Sequence, residues 1–334
     1  MTATLPGGTD GPHYDDLEIG QSFDSAPAVE LTNGLAAAHH AIVGGRLALM
    51  LDTRLARRVT GSSFASPALV WDVSIGQSTL VTQRAIANLF YRGLVFLRAP
   101  SIGDTLRTTT TIVGLRPAAP KPDRPPRGLV VMRIATLDQD DRPVLDYFRC
   151  AMLPARSADS GGARGELEPT APDQSAATPS THVGTWDLGA FRQVRPAGGY
   201  ASLTEGTTYG VAAGDVITSA PELARLTLNL AAVHHDRSST GDGRRLVYGG
   251  HTIGVALAQV TRALPSLVTV LGWQSCDHTG PVHEGDTVQS TVTVERLSPL
   301  ASGGMAHLRV LARSTGKDGK TADVLDWRMI GLFA

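Results

Sequence analysis

Three polar side chains lie close together late in the chain, Asn229, His234 and Asp236, and the run Arg244-Arg245-Leu246-Val247-Tyr248-Gly249-Gly250-His251 follows them. An imidazole titrates near neutral pH, so His234 can take a proton from water and return it. The Asn229 amide could orient that water without carrying charge; a buried helical histidine satisfied by a neighbouring backbone group, with Asn229 as a packing amide, is the competing reading. Asp236 could hold the second ring nitrogen, directly or through water, or simply make a loop contact. The glycine pair stands where a long helix is expected to begin. Free backbone N–H groups at a helix start, with the positive end of its dipole, suit an oxygen that becomes negative during reaction. Gly250 and His251 are the candidate donors there, with Tyr248 and Gly249 beside them; a glycine turn that only caps the helix is the competing reading. His251 could also be a second acid/base group or a cap. Arg244 and Arg245 could clamp phosphates, as guanidinium groups do well, or form a solvated loop pair.

The chain repeats itself around these residues. Ser25-Ala26-Pro27 returns as Ser219-Ala220-Pro221, Leu31-Thr32 as Leu226-Thr227, and Ala37-Ala38-His39-His40 as Ala232-Val233-His234-His235. Gly103-Asp104-Thr105 matches Gly285-Asp286-Thr287, and Val144-Leu145-Asp146-Tyr147 matches Val324-Leu325-Asp326-Trp327. The separations are 194 to 195 for the first three matches, then 182 and 180. Duplication predicts two similar folding units. On this alignment Gly34, His39 and Ala41 stand opposite Asn229, His234 and Asp236, so the second copy carries the polar set and His39 reads as structural. Cys276-Asp277-His278 has no spacing that supports a nucleophile, and its counterpart in the first copy is not polar.

Composition fits two ordinary globular units. The 334 residues are 42% hydrophobic and 18% charged with net charge −1, which gives no support for nucleic acid or an anionic membrane as partner. Two cysteines are too few for a disulfide framework or a thiolate zinc site, and no His/Asp/Glu cluster has metal spacing. Ile253 to Trp273 is the most apolar long stretch, but Gln259, Arg262 and Pro265 break it, so no membrane span is expected. Met1 to Gly20 has no apolar run to serve as a signal peptide, and a cytoplasmic protein is expected.

The expected organisation is a first unit over 1–155, a flexible linker over 156–185 and a second unit over 186–334. Between Pro154 and Thr185 the residues are too small and polar to offset their ordering entropy. A Thr-capped helix is predicted over Thr32–Val43 and another over Thr227–His235. Long helices are predicted over Pro67–Thr82 and Gly250–Leu264, and an added amphipathic helix over Arg46–Val59. Strand-like runs close both units, over Leu129–Ala135 and Pro143–Leu153, then Thr287–Leu297, Ala306–Ala312 and Val324–Phe333. The five prolines between Arg116 and Arg127 mark a surface loop. The fold class is therefore α+β, each unit an antiparallel sheet curled around one long helix.

Thr227-x-Asn229-x4-His234-x-Asp236 and the following Arg244–His251 run resemble the second half of the MaoC-like double-hotdog hydratases, and most of all the mesaconyl-CoA (2-methylfumaryl-CoA) hydratase type. Gly20-Gln21, Gly45-Arg46, Ala87-Asn88-Leu89, Gly103-Asp104-Thr105 and Val144–Tyr147 resemble its first half. The resemblance implies a tandem hotdog and reversible hydration of a 2-enoyl-CoA thioester with no cofactor. It implies an acyl-CoA as the small-molecule partner, with a homodimer as the expected assembly. The family's usual Gly-Asp-x-Asn-Pro-x-His motif is incomplete here: Asn229 stands where its aspartate would, and an amide cannot act as a base. The expected mechanism has His234 deprotonate water held by Asn229 while the Gly250 region polarises the carbonyl; the first repeat is expected to be non-catalytic, supplying the far wall of the substrate channel and the other half of a back-to-back sheet. A hotdog thioesterase and a non-catalytic acyl-CoA-binding subunit are the alternatives.

Overall fold

In the computed structural model, residues 11–122, 124–157, 161–169, 181–195, 198–240 and 243–334 are described. In the first repeat, β1 (Ser22–Phe23) and β2 (Val29–Glu30) precede α1 (Asn33–Val43), α2 (Ala48–Leu51), α3 (Thr53–Thr60) and α4 (Pro67–Gln77). Four long strands follow: β3 (Ala87–Phe96), β4 (Thr105–Pro117), β5 (Arg127–Leu137) and β6 (Pro143–Pro154). β7 (Arg164–Gly165) and α5 (Leu188–Val194) lie between the repeats. The second repeat has β8 (Thr208–Gly210), β9 (Asp215–Val216), α6 (Ala220–Leu226) and α7 (Gly249–Ala263). Its long strands are β10 (Leu267–His278), β11 (Thr287–Pro299), β12 (Gly304–Thr315) and β13 (Thr321–Phe333).

The strands form one antiparallel sheet in the order β1-β4-β5-β6-β3-β10-β13-β12-β11-β8. Its two halves are hotdogs, with α4 and α7 as their fillings. Every residue of α4 is buried, and so is α7 from Gly250 to Thr261. Gln77 and Gln259 occupy matching places on these helices, donating from Nε2 to the Leu106 and Val288 carbonyls (2.9 and 2.8 Å). The halves do not lie back to back. They join edge to edge through β3 and β10, where Cys276 pairs with Tyr91 and Ser275 with Arg92. Trp71 of α4 packs at 4.8 Å on Trp273 of β10, which in turn meets Trp327 at 5.5 Å, closing the seam from within. Such pairs are worth about 0.5–1.5 kcal/mol each beyond their burial.

Strand pairing corrects the register of the repeat. Ser22 and Phe23 pair with Thr111 and Thr110 as Thr208 and Tyr209 pair with Thr293 and Val292. Leu31 N–H donates to Asp104 O as Ile217 N–H donates to Asp286 O. These equivalences place the early parts of the repeats 186 residues apart, not 194 or 195. By that spacing His39 corresponds to Arg225, and the segments 44–66 and 227–248 are of nearly equal length. The Gly103 and Val144 matches keep their register: Arg133 pairs with Asp146 as Arg309 pairs with Asp326.

Thr32 caps α1 as expected, accepting from Leu35 N–H. Thr227 does not start a helix. Pro221 in its first turn starts α6 earlier, and Thr227 ends it, its hydroxyl donating back to the Leu223 carbonyl. Leu228, at φ +60°, then turns the chain away, and the rest of the expected helix holds only the 3-10 turn Ala232–His234. The expected helix over Arg46–Val59 is split into α2 and α3, with Asp52 capping α3. Of the expected linker, residues 158–160 and 170–180 lie outside the described residues. The part between is not a free tether: β7 pairs with Gly114 and Leu115 at the edge of β4. Among the described residues no helix is long and apolar enough to cross a membrane.

Candidate active site

A cavity of about 340 Å³ lies beside the seam, and both repeats build it. The first repeat contributes Asn88 and Tyr91 from β3 and Arg149 from β6. The second contributes His234, Tyr248, Gly249 and Thr252, with His278 at the end of β10. The expectation that the second copy alone carries the polar set is therefore corrected.

His234 donates from Nδ1 to the Leu246 carbonyl (2.9 Å). A carbonyl only accepts, so the neutral ring must carry its proton on Nδ1 and leave Nε2 with a bare lone pair. Burial holds this imidazole down at about 4; the Leu246 bond opposes that shift, while Arg149 and His235 reinforce it. Near neutral pH it is thus an uncharged acceptor. His278 is also pushed down to about 4, by burial and then by Arg149 and His234, and its Nε2 has no hydrogen-bond partner among the described residues.

Arg149 donates from Nε to Asn88 Oδ1 (2.7 Å) and from Nη1 to Ser78 Oγ (2.8 Å). Tyr248 donates to the Asp72 backbone and side-chain oxygens at 3.3 Å, tying the approach to α7 to the middle of α4. Gly249 is the first residue of α7, so its N–H has no partner within the helix. A Cβ there would sit 2.7 Å from His278 Nε2. Gly249→Ala is expected to lower turnover by about 10²-fold, because the added methyl group crowds the His278 ring and shifts the helix-start N–H from its place in the cavity. The unfolding midpoint should shift little, the reduced freedom of the unfolded chain offsetting the crowding of His278; turnover and denaturation measured on one preparation check both halves of this prediction.

The remaining candidates are placed differently from expectation. Asn229 is 2% exposed and outside the cavity wall; its side chain accepts from Ala231 N–H (3.0 Å) instead of facing His234. The turn at Leu228 carries it onto a separate apolar hollow beside Pro27 and Gly76. Asp236 is exposed and caps the turn Arg237–Ser239, while the second nitrogen of His234 is held by Leu246. His251 is 1% exposed and does not line the cavity, and its N–H is already spent on the Tyr248 carbonyl (3.0 Å). Gly250 serves packing, since a Cβ there would come within 2.0 Å of Asp72 Oδ1. The helix-start donor in the cavity is thus Gly249. Arg244 pairs with Asp286 and Arg245 with Glu284, on a separate basic hollow with Arg237 and Lys317.

Across the seam the corresponding region is filled. Met329 pairs with Trp273 as Arg149 pairs with Tyr91, so Met329 holds the place of Arg149 in the other repeat. Leu49, Leu55, Val59 and Phe191, from α2, α3 and α5, pack there with Leu271 and Ile330 in a second apolar cluster. Pro67, without an N–H, begins α4 where Gly249 begins α7.

No family profile matches the chain. It is similar to a mesaconyl-CoA hydratase from Cereibacter sphaeroides, 26% identical over 312 residues, covering 90% of this chain and 88% of that protein. A beta-methylmalyl-CoA dehydratase from Chloroflexus aurantiacus is 29% identical over 288 residues, covering 83% and 80%. Among solved structures, RV0216 from Mycobacterium tuberculosis, a conserved hypothetical protein with a double hotdog fold, is 50% identical. It covers 97% of this chain and 99% of its own, with a TM-score of 0.90. A protein assigned as a MaoC domain dehydratase from Chloroflexus aurantiacus is 24% identical, covers 99% and 98%, and shares the fold at a TM-score of 0.84.

Proposed function

We propose that this chain, which shares the double-hotdog fold and is 26% and 29% identical to two CoA-thioester hydro-lyases, is a MaoC-like hydratase that adds water reversibly to a 2-enoyl-CoA in the seam cavity, with His234 as the base. The observation that carries this reading is the bare Nε2 of His234, its tautomer fixed by the Leu246 carbonyl. In hydration, His234 Nε2 takes a proton from water as the water oxygen bonds to C3. The C2–C3 π electrons move toward the thioester carbonyl, whose oxygen becomes an enolate facing the Gly249 N–H. The imidazolium then returns its proton to C2, so water is added across the double bond and the base is restored. No metal or redox cofactor enters these steps. Mesaconyl-CoA, which would yield a methylmalyl-CoA, is the proposed substrate, following the relatives' names and the resemblance of the motifs.

Enoyl-CoA and 3-hydroxyacyl-CoA thioesters, followed by mass, test the proposal: gain or loss of one water supports it. Release of free CoA thiol with the double bond intact would assign a thioesterase instead. The pH–rate profile supplies a second check. Because the neutral ring is the active base, kcat/KM is expected to stay level as pH drops through 6.5 and to fall only as it nears about 4. An acid limb centred at 6.5 would contradict the assignment of His234, held down at about 4, as the base.

A further inference from the structure

Arg149 carries a charge in the cavity that none of the chain's described carboxylates answers. It is 4% exposed, and both of its hydrogen-bond partners, Asn88 and Ser78, are neutral. Other arginines on these strands are paired, Arg92 with Asp277, Arg133 with Asp146 and Arg309 with Asp326. Among the described residues, no carboxylate lies within ion-pair distance of Arg149. A guanidinium cannot shed its proton, and burying it without a counter-charge is costly. The fold does not require it, since Met329 fills the same place in the other repeat. Beside it, Asn88 Nδ2 is buried without a hydrogen-bond partner among the described residues. A cation that cannot be neutralised and an unused amide donor thus line the same cavity as His234.

We infer that Arg149 and Asn88 form a subsite for a carboxylate on the acyl chain, making Arg149 the residue that selects CoA monothioesters of unsaturated dicarboxylic acids over neutral enoyl-CoAs. The inference takes from the proposed function only that the acyl group occupies this cavity.

The test pairs mesaconyl-CoA with 2-methylcrotonyl-CoA, which has a methyl group in place of the carboxylate, on the wild-type chain, Arg149→Met and Arg149→Lys. The wild type is expected to favour the carboxylated thioester by about 10²-fold or more in kcat/KM. Arg149→Met should lose most of that factor through a fall on the carboxylated thioester that is much larger than any change on the neutral one, and Arg149→Lys should fall between. Equal losses on both thioesters would overturn the inference, because Arg149 would then serve the part they share. Calorimetric binding of methylsuccinyl-CoA against 2-methylbutyryl-CoA reads the subsite without turnover. If nothing is hydrated but the wild type still prefers methylsuccinyl-CoA and Arg149→Met does not, the hydratase reading fails and the carboxylate subsite stands. Equal wild-type affinities for that pair would overturn the subsite. Arg149→Lys, which keeps a donor near Ser78, serves in place of Arg149→Met if the latter does not fold.

Discussion

His234→Ala is expected to lower kcat for enoyl-CoA hydration by about 10³-fold while leaving KM within a fewfold of wild type. A positioned acid/base group contributes roughly 10²–10⁴ in rate, and the side chain removed here both takes and returns the proton in the proposed steps. The CoA moiety would be gripped elsewhere, so binding has little reason to follow turnover. His234→Gln can keep a polar contact but cannot accept the proton, and it should be nearly as slow. Folding should survive either change, because the fixed bond lost is the one to the Leu246 carbonyl, worth about 1 kcal/mol. Steady-state hydration with an unfolding curve on each variant separates the two effects. Turnover near wild type in His234→Ala would remove this residue from the mechanism and direct attention to His278, the other imidazole in the cavity.

The parts of the fold legible in the sequence were those with local causes. A threonine hydroxyl caps α1, a proline opens α4, and alternating β-branched runs became β5, β6, β11, β12 and β13. β10 was hidden because apolar residues run from α7 through Pro265 into a strand buried along most of its length, where polarity does not alternate. The repeat itself was legible and its early register was not. Short matches such as Ser-Ala-Pro do not distinguish 194 from 186, whereas a strand ladder does, because a shift of one residue reverses every side chain. That error set His39 opposite His234. It also leaves the polar set in the second copy alone, although Asn88 and Arg149 come from the first.

A usable signal for the missed residues was present. The Val144 and Val324 matches, extended forward, set Arg149 against Met329, and the Gly103 spacing sets His278 against Phe96. In each pair one copy is charged or polar where the other is apolar. An apolar counterpart in the other copy is thus as much a signal for His278 as the missing partners are for His234. What the sequence could not supply was direction: only the folded strands show that both side chains line one cavity across the seam.

His39→Ala is expected to destabilise the protein by about 3–5 kcal/mol near neutral pH, the usual cost of leaving a buried charge without its partner. Asp72 sits at 0% exposure in the middle of α4, where it accepts from His39 Nε2 at 2.9 Å and from the Tyr248 hydroxyl at 3.3 Å. Burial raises its pKa above the ordinary carboxylate range, while His39, and then Tyr248, pull it back down. With the imidazole gone, the main pull downward is lost and the folded-state pKa rises further. Between the unfolded value and that raised value the folded chain holds a proton that the unfolded chain has released. Stability must therefore fall as pH rises through this window. The defect in His39→Ala should be smallest in acid, where Asp72 is protonated in both states, and largest above the raised pKa. Urea unfolding of both proteins at several pH values checks this: a defect independent of pH would mean that lost packing, not an orphaned carboxylate, is its cause. Activity should decline with stability, because Asp72 is also the anchor of Tyr248. The His39–Asp72 hydrogen bond within the first repeat thereby sets the position of the cavity wall in the second.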